Sequence, residues 1–383
     1  MLRMNFELNE ELAMVRDMAR DFATAELDPR AQRHDEQGHI DEEVFGLISE
    51  LGLWGLTIPE EYGGAGMGNL ALSLVLEELN RADASVGVTL SVHNSLLGAP
   101  IMKFATDEQK QRWLPQLASG EAIGCYCLTE PNAGSDAAAL QTRAVRDGDD
   151  WILSGTKIWV TNGGLASLGI VYARTDPDAS NANGISAFLV PLDAEGISLG
   201  APEKKTGIRA SSTVEIQFDD VRVQGDALLG EENRGFQIAM DTLDGGRIGI
   251  ASQAVGIGRA CLEASVKYAG EREQFNQPIG RFQAIQWKIA DMATRLDAAR
   301  LLTWRAATLR DEGARCSLQA AQAKLSASTA CNYAADECLQ IHGGAGYTDD
   351  FQVERLFRDA RITEIYEGAS DIQRIVIARS LMS

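Results

Sequence analysis

Long apolar runs are missing: no part of this 383-residue chain approaches the roughly 18 consecutive apolar residues that would span a membrane. The first ten residues (MLRMNFELNE) hold two acids and no apolar run, so no signal or transit peptide is expected. That points to a cytoplasmic chain of bacterial type, or to a mitochondrial-matrix one that has lost a transit peptide. Positive charge is also scarce. Lys plus Arg is 35 against 55 Asp plus Glu, a net charge of −20. So acidic a chain repels phosphate backbones and anionic headgroups, which sets aside nucleic acid and membrane surfaces as partners. An anionic ligand would need a local basic pocket. The six cysteines (125, 127, 261, 316, 331 and 338) form no C-x-x-C pair and no disulfide framework, and fit small apolar fillers in a reducing compartment. Cys125 and Cys127 have no histidine nearby to complete a zinc set, so no metal site is expected. Internal repeats and low-complexity tracts are absent.

What remains is an ordinary globular balance, 45% hydrophobic and 23% charged, in a chain long enough for two or three packed units. Three periodicities divide it. Residues 1–120 read as helical, with Leu72, Val75, Leu76 and Leu79 at helical spacing, as are Ile48 and Leu51. The Pro59 to Gly68 stretch reads as a loop. Its G-x-G-x-x-A string, Gly66 to Ala71, lacks the flanking strands of a dinucleotide fold and reads as a glycine turn opening a helix. Residues 121–232 alternate instead. Trp151 to Thr161, Gly169 to Ala173, Ile185 to Val190 and Val214 to Phe218 are strand-like runs joined by polar connections such as Thr175 to Gly184, which predicts a small antiparallel barrel or sandwich. Residues 233–383 return to helix. Ile285, Ile289, Met292, Leu296 and Ala299 form a bundle stripe that Leu318, Ala321 and Leu325 continue, and small residues from Ala320 to Ala335 allow close helix approach.

Four local features ask for more than packing. In Tyr126 to Asp136 (YCLTEPNAGSD) backbone N–H groups and hydroxyls crowd one turn, suited to an anion or a heterocycle, or simply to a polar surface loop. In Lys157 to Asn162 (KIWVTN) a strand would put Trp159 and Thr161 on one side, suited to a flat ligand or to an ordinary sheet face. In Gln340 to Tyr347 (QIHGGAGY) Gly343 and Gly344 fit a helix C-cap whose N–H groups can also hold a pyrophosphate, and His342 reads as structural. In Ile362 to Ile372 (ITEIYEGASDI) Glu367 precedes a helix, with Ser370 and Gln373 at capping-box spacing. Burial on that turn would raise the carboxyl pKa toward that of a general base working near neutrality; in solvent it would be an ordinary turn glutamate.

Taken in order, these segments resemble the acyl-CoA dehydrogenase family over essentially the whole chain. Five separated motifs carry the likeness: YCLTEPNAGSD, KIWVTN, GIRAS at Gly207 to Ser211, EREQF…FQAIQ between Glu271 and Gln286, and IYEGASDIQ. The short-chain, butyryl-CoA-type branch is the most similar, through DGGRIGIASQA from Asp244 to Ala254. The resemblance implies an α+β, mostly α fold: an N-terminal helical domain, a central antiparallel β-barrel and a C-terminal four-helix bundle. It implies FAD, held at the flavin ring by Tyr126, Cys127, Leu128, Thr129, Ser135, Trp159, Val160 and Thr161. Arg272, Phe275, Gln283 and the loop of Gln340, Ile341, His342, Gly343 and Gly344 would hold the pyrophosphate and adenosine, partly across a subunit interface. Ala369, Ser370 and Asp371 would close over the cofactor. Ser135, Asp244, Gly245, Gly246, Arg247 and Gly368 would meet the acyl-CoA, with Arg247 supplying the local positive charge.

In the implied reaction Glu367 removes the α-proton while the β-hydride passes to the flavin, leaving a trans-2-enoyl-CoA. The Glu367 N–H and a ribityl hydroxyl would stabilise the thioester oxygen. An electron-transfer flavoprotein would take the electrons, and a homotetramer is implied. Branches that draw the base from a helix do so at the position of Gly246, and a glycine cannot serve. Decarboxylating glutaryl-type members carry an arginine near Val86 to Ser91; none occurs here between Arg81 and Arg112. Asn276 departs from the glycine common after EREQF, which puts the local FAD-loop conformation in question. The alternatives are a 2-methyl-branched dehydrogenase, a flavin oxidase that reduces oxygen, and a non-catalytic acyl-CoA-binding protein, which would have lost the base or the flavin contacts.

Overall fold

The computed structural model describes residues 7–179 and 182–382. The first six residues of the leader reading, and positions 180 and 181 of the Thr175 to Gly184 connection, lie outside the described residues. The chain is mostly helical, with a β unit between two helical ones.

The first unit holds α1 (Glu10–Phe22), α2 (Ala31–Gln37), α3 (Glu42–Glu50), α4 (Asn69–Ala82), α5 (Ala84–Ser91), α6 (Ala99–Phe104) and α7 (Asp107–Ser119). The predicted stripe of Leu72, Val75, Leu76 and Leu79 is buried on α4, facing Ile48 of α3 and Phe22 of α1. The glycine string at Gly66 is a turn: Gly68 caps α4, whose first N–H groups, on Asn69 and Leu70, donate to Asp311 from the far end of the chain. Between α5 and α6 the helix widens into one π-helical stretch, Val92–Gly98, which delivers Leu96 to the interior.

The β unit is one sheet built from β1 (Gly124–Cys127), β2 (Arg143–Asp147), β3 (Asp150–Thr161), β4 (Leu168–Arg174), β5 (Ile185–Pro191), β6 (Ile197–Leu199), β7 (Thr213–Val223) and β8 (Leu228–Leu229). Its order is β6-β7-β3-β2-β4-β5-β8, with β1 added against β4. Period-two alternation dictates the inner face: Val214, Ile216 and Phe218 are buried with Trp151 and Leu153, and Trp151 meets Phe188 edge-on at 5.3 Å. Most ladders are antiparallel, as alternation suggested, but β1 runs parallel to β4, and β2 meets β4 in parallel at Arg143 and Arg174. Cys125 and Cys127, with sulfurs 3.6 Å apart, are buried in this core.

The last unit holds α8 (Gly235–Glu271), α9 (Gln283–Asp311), α10 (Ser317–His342), α11 (Val353–Ile362) and α12 (Ser370–Met382), and a short ribbon, β9 (Glu273–Gln274) with β10 (Gln277–Pro278). On α9, Met292, Leu296 and Ala299 are buried, each large side chain contributing about 1.5–3 kcal/mol. On α10 alanines carry the contact (Ala320, Ala323, Ala327, Ala330 and Ala334 are buried), while Leu318 and Leu325 are only partly covered. Small side chains let α8 come close, and the leucines fall to its flanks. Charge joins the two helical units: Glu77 and Glu78 of α4 receive Arg259 of α8 and Arg300 of α9.

Candidate active site

Glu367 lies on the turn between α11 and α12 at φ +48°, followed by Gly368 at +90°. A glutamate in left-handed backbone is uncommon, and such strain persists only where neighbours hold it. Here two side chains converge on the Gly368 carbonyl: Lys324 Nζ donates at 2.8 Å and Gln373 Nε2 at 2.7 Å. Gln373 therefore does not complete a capping box with Ser370. Its amide turns inward to the carbonyls of the turn, while the Ser370 N–H and hydroxyl both donate to Glu364 O, at 3.0 and 3.4 Å.

The residue as a whole is only partly covered, yet its Oε2 is shut off from solvent and has no hydrogen-bond partner among the described residues. Burial raises its pKa, Lys324 and Arg247 oppose this, and the result is a carboxyl pushed up to about 7. The wall opposite is glycine by necessity. A Cβ at Gly246 would sit 2.0 Å from Glu367 Oε2 and 2.8 Å from Leu96 Cδ2. Gly246→Ala is therefore expected to displace the carboxylate and lower turnover by about 10²-fold with cofactor content unchanged, as steady-state assays and flavin absorbance would register.

The next residue on α8, Arg247, pairs with Asp244 one turn back at 2.6 Å, and Ser317 Oγ donates to the other Asp244 oxygen at 2.5 Å. The paired arginine is buried, and so a local cation stands beside Glu367 despite the acidic chain. Tyr126 of β1 packs edge-on against Tyr172 at 5.1 Å, and Tyr366 OH donates to Gln253 of α8.

The N-terminal end of β3 is an ordinary strand; its far end is not. Trp159 has φ +53° inside a register shift between Lys157 and Val160, a bulge beyond which Val160 is buried while Trp159 is exposed and Thr161 half-buried. The bulge turns the indole outward, leaving it 62% exposed. Beneath it Lys157 is fully buried, bonded to Glu130 Oε1 at 2.7 Å and Leu128 O at 3.2 Å, while the same carboxylate accepts from Gln141 N and Thr142 N. Ile158 N donates to Thr129 O at 2.9 Å, which ties the Tyr126 to Asp136 and Lys157 to Asn162 segments side by side. Cys127 and Val160 are buried in the sheet core and Leu128 in the core shared with the first helical unit, leaving only their backbone to a ligand, and Ser135 is exposed.

A second group gathers elsewhere. His342 stacks on Tyr268 at 4.2 Å, which supports its structural reading, and Phe351 meets Tyr268 edge-on at 5.2 Å. Around them Arg272, Phe275, Gln283, Gln340, Gly343 and Gly344 are exposed, while Ile341 is buried. Phe275 (φ +53°) and Asn276 (φ +61°) make the tip of the β9–β10 ribbon; asparagine tolerates that region, so it serves where glycine is common. Tyr268 stands 22 residues beyond Gly246 on α8, about 33 Å at helical rise. The chain thus keeps this group apart from Glu367.

Fold and site together define an acyl-CoA dehydrogenase, and the chain belongs to that family: models of the acyl-CoA dehydrogenase N-terminal, middle and C-terminal domains match residues 9–121, 125–221 and 233–382. It is an FAD-dependent oxidoreductase. More particularly, it is 51% identical to the mitochondrial short-chain specific acyl-CoA dehydrogenase of Bos taurus, over 98% of this chain and 91% of that protein. The butyryl-CoA dehydrogenase of Megasphaera elsdenii superposes with a TM-score of 0.97 at 41% identity, covering 99% and 100% of the two chains. A glutaryl-CoA dehydrogenase of Mycobacterium smegmatis in complex with FADH2 follows at 0.92 and 34%, covering 98% and 95%.

The residues fit a flavin. An exposed indole on a bulge, a doubly tethered turn and an unpartnered buried carboxylate oxygen leave surface and polar groups for a planar, partly polar ring. Lys324, Leu96, Tyr366 and the Glu130–Lys157 pair were not singled out from sequence. Only Lys324 left a trace, as the one charged residue between Ala320 and Ala335.

Proposed function

We propose that this enzyme dehydrogenates a short-chain acyl-CoA to the trans-2-enoyl-CoA with Glu367 as the base. The observation that carries the proposal is the Glu367 carboxyl, shielded, unpartnered and raised to about 7, where it can take a carbon-bound proton near neutral pH. FAD, when bound, accepts the β-hydride. The chain's own part is alignment and charge. Gly246 leaves room for the base, Arg247 and Lys324 keep it ionisable, and the Glu367 N–H, which donates to no backbone carbonyl of a turn or loop among the described residues, would serve the thioester oxygen.

Tyr126 to Thr129, Ser135 and Trp159 to Thr161 would line the flavin ring, Ala369 to Asp371 would close over it, and Ser135, Asp244 to Arg247 and Gly368 would meet the acyl-CoA. The distant group at Arg272, Phe275, Gln283 and Gln340 to Gly344 would serve the FAD of a neighbouring subunit. A homotetramer suits the apolar side chains left exposed on the bundle, among them Trp287 at 65% and Met382 at 79%. An electron-transfer flavoprotein is the proposed acceptor, from the family resemblance.

An anaerobic titration with butyryl-CoA tests the proposal. Bleaching of the visible flavin bands is the expected result. A flavin that binds butyryl-CoA and stays oxidised would exclude this substrate and direct attention to branched acyl-CoAs, and fast reoxidation in air would favour an oxidase.

A further inference from the structure

Lys324 sits in the middle of α10 on a buried face of small residues, among them Ala320, Ala327, Ser328 and Cys331, and its side chain is fully buried. Among the described residues no carboxylate lies within ion-pairing distance, and the Gly368 carbonyl is its one hydrogen-bond partner. A buried ammonium is expensive, and an apolar side chain of the same length would pack there at lower cost, so the charge itself needs a role. Geometry supplies one. The carbonyl it holds belongs to the residue after Glu367, in a turn where two successive residues are left-handed. The groups facing Glu367 are Lys324 from α10, Arg247 with its partner Asp244 from α8, Tyr126 from β1, and Glu364 and Tyr366 from its own segment. Of the two cations only Arg247 has a carboxylate within pairing distance, so Lys324 is the one not already neutralised nearby.

We propose that Lys324 is a positioning residue for Glu367, its ammonium both holding the turn through the Gly368 carbonyl and supplying the positive charge that keeps the buried carboxylate ionised. This rests on Glu367 being the base. Without the charge, burial acts on Glu367 with only the paired Arg247 to oppose it, and the carboxyl stays protonated at neutral pH.

The test uses FAD-loaded enzyme with Lys324→Met, Lys324→Gln and Lys324→Arg. Two readouts are followed against pH: kcat/KM for butyryl-CoA, and the infrared carboxylic-acid C=O band that disappears in Glu367→Gln. With Met or Gln the acid limb and the band titration are both expected to move up by about one pH unit or more, and Arg is expected to hold both near wild type. Folded, flavin-replete Met or Gln variants that titrate as wild type would overturn the role. So would an Arg variant that shifts as far as Met, since packing rather than charge would then be the cause. Gln, which keeps a donor, stands in should Met fail to fold. The infrared titration reads Glu367 without turnover, so it judges Lys324 even where butyryl-CoA proves not to be the substrate.

Discussion

Glu367→Gln is expected to slow flavin reduction by butyryl-CoA by about 10²–10⁴-fold while leaving thioester binding within a few-fold of wild type. Glutamine has the shape of the carboxylate, and Oε2 has no hydrogen bond to lose, so the turn keeps its tethers through Gly368. What is lost is the proposed proton acceptor. Wild-type kcat/KM should fall as pH drops through about 7, where Glu367 becomes protonated, and the residual rate of the variant should lack that limb. Stability should move the other way. A carboxyl raised in the folded state contributes stability that is fully present below its ordinary value and lost as pH rises through about 7. Removing it should therefore raise the Tm at pH 8, with the gain shrinking toward pH 5. Stopped-flow reduction and thermal melts at the two pH values check both halves, and a variant that reduces its flavin at the wild-type rate would remove Glu367 from the chemistry.

Lys157→Met should cost about 3–5 kcal/mol and yield protein depleted of FAD. The substitution strands the Glu130 carboxylate, which is 5% exposed, and deprives Leu128 O of its donor. Burial alone would raise Glu130, but the Lys157 charge and hydrogen bonds outweigh it and hold the carboxyl below its ordinary range. The pair stands under the Leu128–Glu130 turn and the Trp159 bulge, so its loss should loosen both flavin-motif segments together. Adding Glu130→Gln should recover much of the stability, since an unpaired buried charge costs more than a removed pair. Guanidinium midpoints and the flavin-to-protein absorbance ratio measure this. A single variant with unchanged midpoint and flavin content would mean the pair is incidental.

Periodicity was legible wherever one element buries one face. The α4 stripe, the α9 stripe and the alternation in β7 could be read because each follows the repeat of its own backbone. Reading failed where contacts outside an element's own repeat decided where a side chain or a segment went. Gln373 had capping spacing but its amide bonds the Gly368 carbonyl, and the bulge against β7 that gives Trp159 its left-handed backbone has no local signature. The α10 leucines looked like core until α8 came close enough for alanine to suffice.

The sequence by itself determined the three periodic units, the acidic surface and the five motifs with Glu367 among them, because local propensity, charge and motif spacing are properties of the chain alone. Only the tertiary structure decided that Glu367 is shielded, that Gly246 and Leu96 wall it, and that Lys324 behind the Glu367 turn and Lys157 beside Glu130 are buried cations. Those facts depend on residues from 43 to 271 positions away meeting at one point, and burial, which sets both a carboxyl's proton affinity and the cost of a charge, exists only once they have met.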